Sequence, residues 1–103
     1  MKMKTENLTE RALDYAVAIC DGWSADYLNK NLDAIPEYST EWSECGQLID
    51  EYYISVIERI DYWLADRPGF GVAKGCTAKE AICHAMITEL DEIEIPDELL
   101  ESK

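Results

Sequence analysis

A chain of 103 residues with 22 Asp and Glu against nine Lys and Arg has a formal net charge of −13 at pH 7. This length allows one domain with one core over residues 1–103 and leaves no room for a second. The acidic balance argues against direct binding to nucleic acid or to an anionic membrane, because phosphate contacts need basic side chains.

The first helix is predicted to begin after Thr9, whose hydroxyl can cap its first turn. Leu8 and Leu13 flank that cap as a hydrophobic staple, and Gly22 is a C-terminal stop. The helical periodicity is then lost, so residues 23–46 are predicted to form an irregular connection. Connections of that length are uncommon in compact domains, which makes the segment either a functional loop or one that contains a short undetected helix.

β-branched and aromatic residues dominate from residue 48 to residue 72 and predict three strands. We place the strands at about residues 52–57, 60–65 and 70–73. A hairpin at residues 58 and 59 joins the first two, and Pro68 and Gly69 form a turn signature before the third. A helix remains the alternative for the first two strands, because apolar residues also recur there at helical spacing, namely Tyr53, Ile57, Ile60 and Leu64.

The last helix has the clearest start signal in the chain. The Thr77 hydroxyl can accept from the N–H of Glu80, and the Glu80 carboxylate can reach back to the Thr77 N–H, which forms a capping box. The helix is therefore predicted to begin at Ala78 and to run to about Leu90. The acid-rich residues 91–103 are predicted to be a solvated tail.

These elements predict an α+β fold. It has a small antiparallel sheet of about three strands, with an N-terminal and a C-terminal helix packed on one face. The other face of the sheet would display aromatic side chains, either as a dimerisation or ligand surface or covered by the long connection. Ten aromatic residues in so small a chain favour a homodimer or a larger closed oligomer.

No motif of the chain indicates catalysis. There is no glycine-rich phosphate loop and no nucleophile elbow, and the chain has a single His, which leaves no second candidate base of that type. Cys76, Cys83 and His84 lack paired ligand spacing, so we expect no metal and no cofactor. Without a C-x-x-C motif or a long apolar run, the four cysteines are expected to be reduced in the cytoplasm.

Three segments resemble the NinX-like family of small tailed-phage proteins in order and spacing. They are residues 8–18 (LTERALDYAVA), residues 38–50 (YSTEWSECGQLID), and residues 77–86 (TAKEAICHAM) followed by 93–99 (IEIPDEL). The resemblance implies an accessory protein of a phage, located in the cytoplasm of the infected bacterium. It carries no enzymatic activity that can be transferred. The chain departs from the family pattern at Ala78, where a Pro is common, and at His84, where an Arg is common.

Residues 62–86 also resemble the partial fold of HicB-type antitoxins. The shared features are a strand, a Pro-Gly turn, a second strand and the Gly-x-Thr-x-x-Glu-Ala start of a helix. This second resemblance implies a small, oligomer-forming domain, and only fold-level analogy connects it to toxin neutralisation.

Two binding hypotheses follow, both for a phage protein that opposes bacterial defence. In the first, the protein sequesters a small nucleotide-type immune signal, with stacking and charge supplied by Arg59, Tyr62, Trp63, Arg67, Phe70 and His84. In the second, it is an acidic decoy that covers the nucleic-acid-binding surface of a basic host protein. A regulatory or assembly adaptor is the third possibility. Truncating Arg59 or Arg67 is expected to weaken nucleotide capture and to leave the fold intact.

Overall fold

A computed structural model describes residues 2–8 and 10–100 of the chain. Four helices are present, α1 (Glu10–Cys20), α2 (Ala25–Lys30), α3 (Trp42–Tyr52) and α4 (Ala78–Met86). The strands are β1 (Lys2–Lys4), β2 (Ser55–Glu58), β3 (Trp63–Arg67), β4 (Gly71–Gly75) and β5 (Glu92–Glu94). Short 3-10 turns lie at Thr5–Asn7, Leu32–Ala34 and Asp97–Leu99.

The fold is α+β, as the sequence predicts. The main sheet is antiparallel in the order β2-β3-β4, and Ala65 at its centre lies between Val56 and Ala73. Helix α4 lies against all three strands, and α1 and α3 pack against α4. The N-terminal helix therefore reaches the sheet mainly through α4, so that α4 is the central element of the core.

Gly75 defines which face of the sheet is covered. A Cβ at Gly75 would lie 2.4 Å from the backbone nitrogen of Ala81, so α4 approaches β4 as closely as its backbone allows. Trp63 is the register partner of Gly75 and therefore points toward the same face. Ala65 and Arg67 follow on that side of β3 and are buried.

The long connection predicted at residues 23–46 is not irregular throughout. Ser24 caps α2 by accepting a hydrogen bond from the N–H of Tyr27, and α3 begins at Trp42. The alternative of an undetected short helix is the correct one. The strand-like composition predicted from residue 48 onward is wrong up to Tyr52, because Cys45, Leu48 and Tyr52 recur at helical spacing and pack inward.

The three predicted strands are present with shifted boundaries, and the helical alternative for residues 53–64 is wrong. The first hairpin closes where the Arg59 N–H donates to the Tyr62 carbonyl at 2.9 Å, a few residues later than predicted. The second turn is closed by a 2.9 Å hydrogen bond from the Phe70 N–H to the Arg67 carbonyl. Gly69 adopts a φ of +87° there, a conformation that other residues rarely take.

The predicted helix start at Ala78 is confirmed. The N–H of Glu80 donates to the Thr77 hydroxyl at 3.1 Å. The return contact differs from the prediction, because the Glu80 carboxylate accepts from the N–H of Cys76 at 3.0 Å rather than from that of Thr77. The helix ends at Met86, earlier than the predicted Leu90.

The prediction for the start of α1 is tested only in part, and the prediction for its end is confirmed. Thr9 lies outside the described residues, whereas Leu8 and Leu13 are both buried in the core. Gly22 ends the helix as predicted, with its N–H donating to the Ile19 carbonyl and that of Trp23 to the Ala18 carbonyl.

Residues 91–100 are not a freely solvated tail. Strand β5 pairs with β1 in a second, two-stranded antiparallel sheet in which Met3 faces Ile93. Ile95 is completely buried, because the apolar positions of this acidic segment alternate inward while its carboxylates face solvent. Residues 101–103 of the predicted tail lie outside the described residues.

Candidate functional site

Arg67, a predicted ligand-binding residue, is engaged inside the protein. Its guanidinium donates to the Met86 carbonyl at 2.8 Å and lies 3.8 Å from the Glu89 carboxylate. It also sits 4.0 Å from the centre of the Phe70 ring and 5.0 Å from that of Tyr52. Arg67 and Phe70 are thus brought together, but the guanidinium is buried against the end of α4 while the Phe70 ring remains exposed.

Arg59 and Tyr62, two further predicted site residues, lie together at the first hairpin. The ammonium of Lys74, which the sequence did not single out, stands 4.5 Å from the centre of the Tyr62 ring. This group is at the opposite end of β3 from Arg67, about 13 Å away at 3.3 Å per strand residue. The two arginines therefore do not converge on one pocket.

The uncovered face of the main sheet differs from the predicted aromatic face. Trp63 points to the helices and packs partly buried against the core. The alternate positions carry aliphatic and charged residues instead: Ile57 and Leu64 pair directly, and Asp66 pairs with the exposed Val72. Tyr62 and Lys74 lie at the hairpin end of this face.

His84 lies apart from the other predicted residues. It borders a cleft of about 420 Å³ between β4, α4 and the N-terminal segment, together with Thr5, Glu6, Lys74 and Thr88. Burial lowers the pKa of His84, and the opposing effects of Glu80 and of a hydrogen bond at Leu8 do not reverse that shift. The imidazole is therefore neutral at pH 7.

A carboxylate bound by two tyrosines is a polar group that the sequence did not reveal. Asp21 accepts a 2.9 Å hydrogen bond from the Tyr38 hydroxyl and a 2.7 Å hydrogen bond from the Tyr52 hydroxyl. Burial and the neighbouring Asp21 raise the pKa of Tyr52 to about 12. Tyr52 in turn contacts Arg67, so this cluster joins α1, α3 and β3 as a structural network.

Three exposed aromatic residues lie on or beside the helices α2 and α3. Trp42 at the start of α3 is 49% exposed, and the ammonium of Lys79 lies 4.7 Å from the centre of its ring. Trp23 and Tyr27 are 37% and 49% exposed, with ring centres 6.0 Å apart and planes tilted by 36°. Their spacing of four residues is a signal that sequence reasoning could have used, had α2 been recognised.

All but one of the described carboxylates lie outside the buried core. Asp14 is the one carboxylate that is buried among residues 2–8 and 10–100. Arg11 donates to it at 2.8 Å and also to the Ile35 carbonyl at 2.7 Å, which ties α1 to the following segment. Because Arg11 and Arg67 are both engaged within the fold, two of the nine basic residues do little to offset the acidic surface.

The cysteines of the described residues are free thiols. Cys45 and Cys83 are fully buried, and hydrogen bonding to Cys45 together with burial raises the pKa of Cys83, which keeps it a thiol at neutral pH. No group of three or more His, Cys, Asp or Glu among these residues is placed to hold a metal ion. Within the same residues, no helix has the length and apolar character to cross a membrane.

Comparison with protein-family models, curated proteins and solved structures finds no match for this chain. The resemblances to NinX-like proteins and to HicB-type antitoxins therefore remain predictions from the sequence.

Proposed function

We propose that this protein acts by stoichiometric binding, without catalysis, and that its acidic surface covers a basic, nucleic-acid-binding surface of another protein. The observation that carries the proposal is the outward placement of the carboxylates on a chain of net charge −13, with Arg11 and Arg67 bound internally. Such a surface attracts a basic partner at long range and competes with nucleic acid for it.

The biological setting of the proposal comes from the sequence alone. The NinX-like resemblance of residues 8–18, 38–50, 77–86 and 93–99 implies a phage accessory protein in the host cytoplasm. A decoy of this kind would oppose a bacterial defence protein that works on nucleic acid. The proposal for binding does not depend on this setting.

A displacement assay tests the proposed function. Basic DNA-binding and RNA-binding proteins are loaded with a labelled oligonucleotide, and this chain is added at increasing molar ratio. We expect release of the oligonucleotide near one-to-one stoichiometry, weakened by added salt because screening reduces charge complementarity. A poly-glutamate peptide of equal charge is the control. The proposal would be contradicted if, for every protein tested, this chain released no more oligonucleotide than the peptide did.

We also propose nucleotide capture as a second function, which Arg59, Tyr62 and Lys74 at the first hairpin support. The Lys74 ammonium lies 4.5 Å from the centre of the Tyr62 ring, and the backbone N–H of Arg59 donates to the Tyr62 carbonyl, so that two basic residues meet an aromatic one on an otherwise acidic chain. A nucleotide would stack on the face of the Tyr62 ring that Lys74 leaves free, with its phosphate near Lys74 and Arg59. Arg67 has no place in this version, because its guanidinium is already engaged.

Calorimetry with cyclic and linear nucleotides, including adenosine-ribose derivatives, tests the second proposal. Truncating Arg59 or Lys74 to Ala is expected to weaken capture about tenfold by removing one charge-assisted contact. Absence of heat with every nucleotide at high micromolar protein would exclude capture.

A further inference from the structure

Several aromatic rings of the protein lie against its own cations. Lys79 lies over Trp42, Lys74 lies over Tyr62, and Arg67 lies between Tyr52 and Phe70. Aromatic rings attract cations through the negative charge of their faces. In the described part of the chain, no Lys or Arg stands over Trp23 or Tyr27, although both rings are exposed.

The surroundings of this ring pair are predominantly negative. Asp26 lies between the two aromatic residues in the sequence and is exposed, and Asp21 lies just before the pair. The last carbonyl groups of α1 carry a partial negative charge, and Trp23 lies three residues after the end of that helix. Lys30 is the one basic residue of α2, and it lies at the far end of the helix from Trp23.

Local contacts hold the pair in place without a ligand. The Trp23 N–H donates to the Ala18 carbonyl at 3.0 Å, and the N–H of Tyr27 donates to the Ser24 hydroxyl at 3.3 Å. The Asn31 side chain donates to the carbonyl of Tyr27 at 2.9 Å, which anchors the end of the short helix. The backbone that carries the two rings is therefore already ordered, so binding costs little conformational entropy there.

We propose that Trp23, Tyr27 and Asp26 form an anchoring site for an arginine side chain of a basic protein partner. The guanidinium plane would stack on the exposed indole and phenol rings, and the negative charge of the exposed Asp26 on the same short helix would attract it. Arginine fits this site better than lysine because its flat, weakly hydrated head can stack and donate at the same time.

This inference rests on the proposed function, since it names the residues that bind the basic partner. It also explains how an acidic protein gains specificity beyond net charge. Aromatic residues and arginine dominate the binding energy of protein interfaces, whereas exposed charge pairs contribute little affinity. One arginine held by two rings is expected to matter more than any single carboxylate elsewhere on the surface.

Calorimetric titration with nona-arginine and nona-lysine peptides at 150 mM salt tests the site. We expect the protein to prefer nona-arginine, and Trp23→Leu or Tyr27→Leu to weaken binding of nona-arginine by roughly five- to tenfold, the size of a lost cation–π contact. Leucine keeps the apolar contact and removes the aromatic face. Binding of nona-lysine should change less. Asp26→Asn should cause a smaller loss for both peptides.

Trp42→Leu is the matched control. Trp42 is as exposed as Tyr27, but its ring is already covered by Lys79, so its replacement is expected to leave peptide affinity unchanged. Equal affinities for wild type and the Trp23 and Tyr27 variants, with binding otherwise intact, would overturn the anchoring site and leave the acidic-surface proposal standing. Failure of the wild type to bind either peptide would overturn both. Circular dichroism and thermal midpoints confirm that each variant is folded.

Discussion

The guanidinium of Arg67 on β3 donates a 2.8 Å hydrogen bond to the carbonyl oxygen of Met86, the last residue of α4. The last carbonyl groups of a helix lack partners within the helix, and a buried one needs a donor from elsewhere. Arg67 supplies that donor and fills the space between Tyr52 and Phe70. Arg67, which the sequence predicts to bind a ligand, therefore stabilises the C-terminal end of α4.

Arg67→Ala is expected to destabilise the fold, contrary to the expectation from sequence that either arginine could be removed without harm. The change leaves the Met86 carbonyl unpaired and removes two ring contacts, so we expect a loss of about 2–3 kcal/mol. Arg59→Ala is the matched control, since Arg59 is exposed and should change stability by less than about 0.5 kcal/mol. Urea unfolding measures both, and equal midpoints for the two variants would refute this role of Arg67.

Gly75→Ala and Gly46→Ala are expected to shift stability in opposite directions. At Gly75 the added methyl group would meet the backbone of Ala81 at 2.4 Å, which forces β4 and α4 apart and costs roughly 1–3 kcal/mol. At Gly46 inside α3 nothing lies within 4 Å, and replacing a helical glycine should add roughly 0.5–1 kcal/mol. Thermal denaturation distinguishes them. A Gly75→Ala variant with an unchanged melting temperature would contradict the close approach of the two elements.

Thr77→Ala is expected to cost on the order of 1 kcal/mol, because the N–H of Glu80 loses its acceptor. Thr77→Ser keeps the hydroxyl and should remain close to wild type. The urea midpoints of the three proteins give the comparison. If Ala and Ser have the same effect, the hydroxyl does not act as a cap.

His84 is expected to make the protein less stable as the pH falls below its ordinary pKa of 6.5. Burial lowers the pKa in the folded state, so the unfolded chain binds the proton more readily. This contribution to stability is present above pH 6.5 and is lost as the pH falls through the lower pKa of the folded state. His84→Gln should reduce the difference between the unfolding free energies at pH 7.5 and pH 5.5. The same slope in both proteins would exclude His84 as its source.

Self-association remains a prediction, and the uncovered sheet face offers it a specific surface. Ile57, Leu64 and Val72 share that face, and an apolar strip on one side of a small sheet is typical of a surface that packs against another. Val72→Glu should shift an oligomer toward monomer, whereas Ser43→Glu on exposed α3 adds the same charge without this effect. Light scattering at high micromolar concentration measures both, and a monomeric wild type would contradict the prediction.

The sequence by itself determined the elements whose signals are local. Thr77 and Glu80 mark the start of α4, Gly22 marks the end of α1, and the turn residues Pro68 and Gly69 separate β3 from β4. Each depends on contacts within four residues along the chain, so the residue pattern suffices to predict it. The acidic surface likewise follows from composition, because a small fold cannot bury 22 carboxylates.

Only the tertiary structure decided what the candidate residues do. Arg67 lies far along the sequence from Tyr52 and Met86, and no local pattern predicts that its charge is used inside the fold. The same holds for Asp21, which two distant tyrosines bind, and for the pairing of β5 with β1 at the two ends of the chain. Such partners depend on how the elements pack, and packing places side chains together regardless of their separation in sequence.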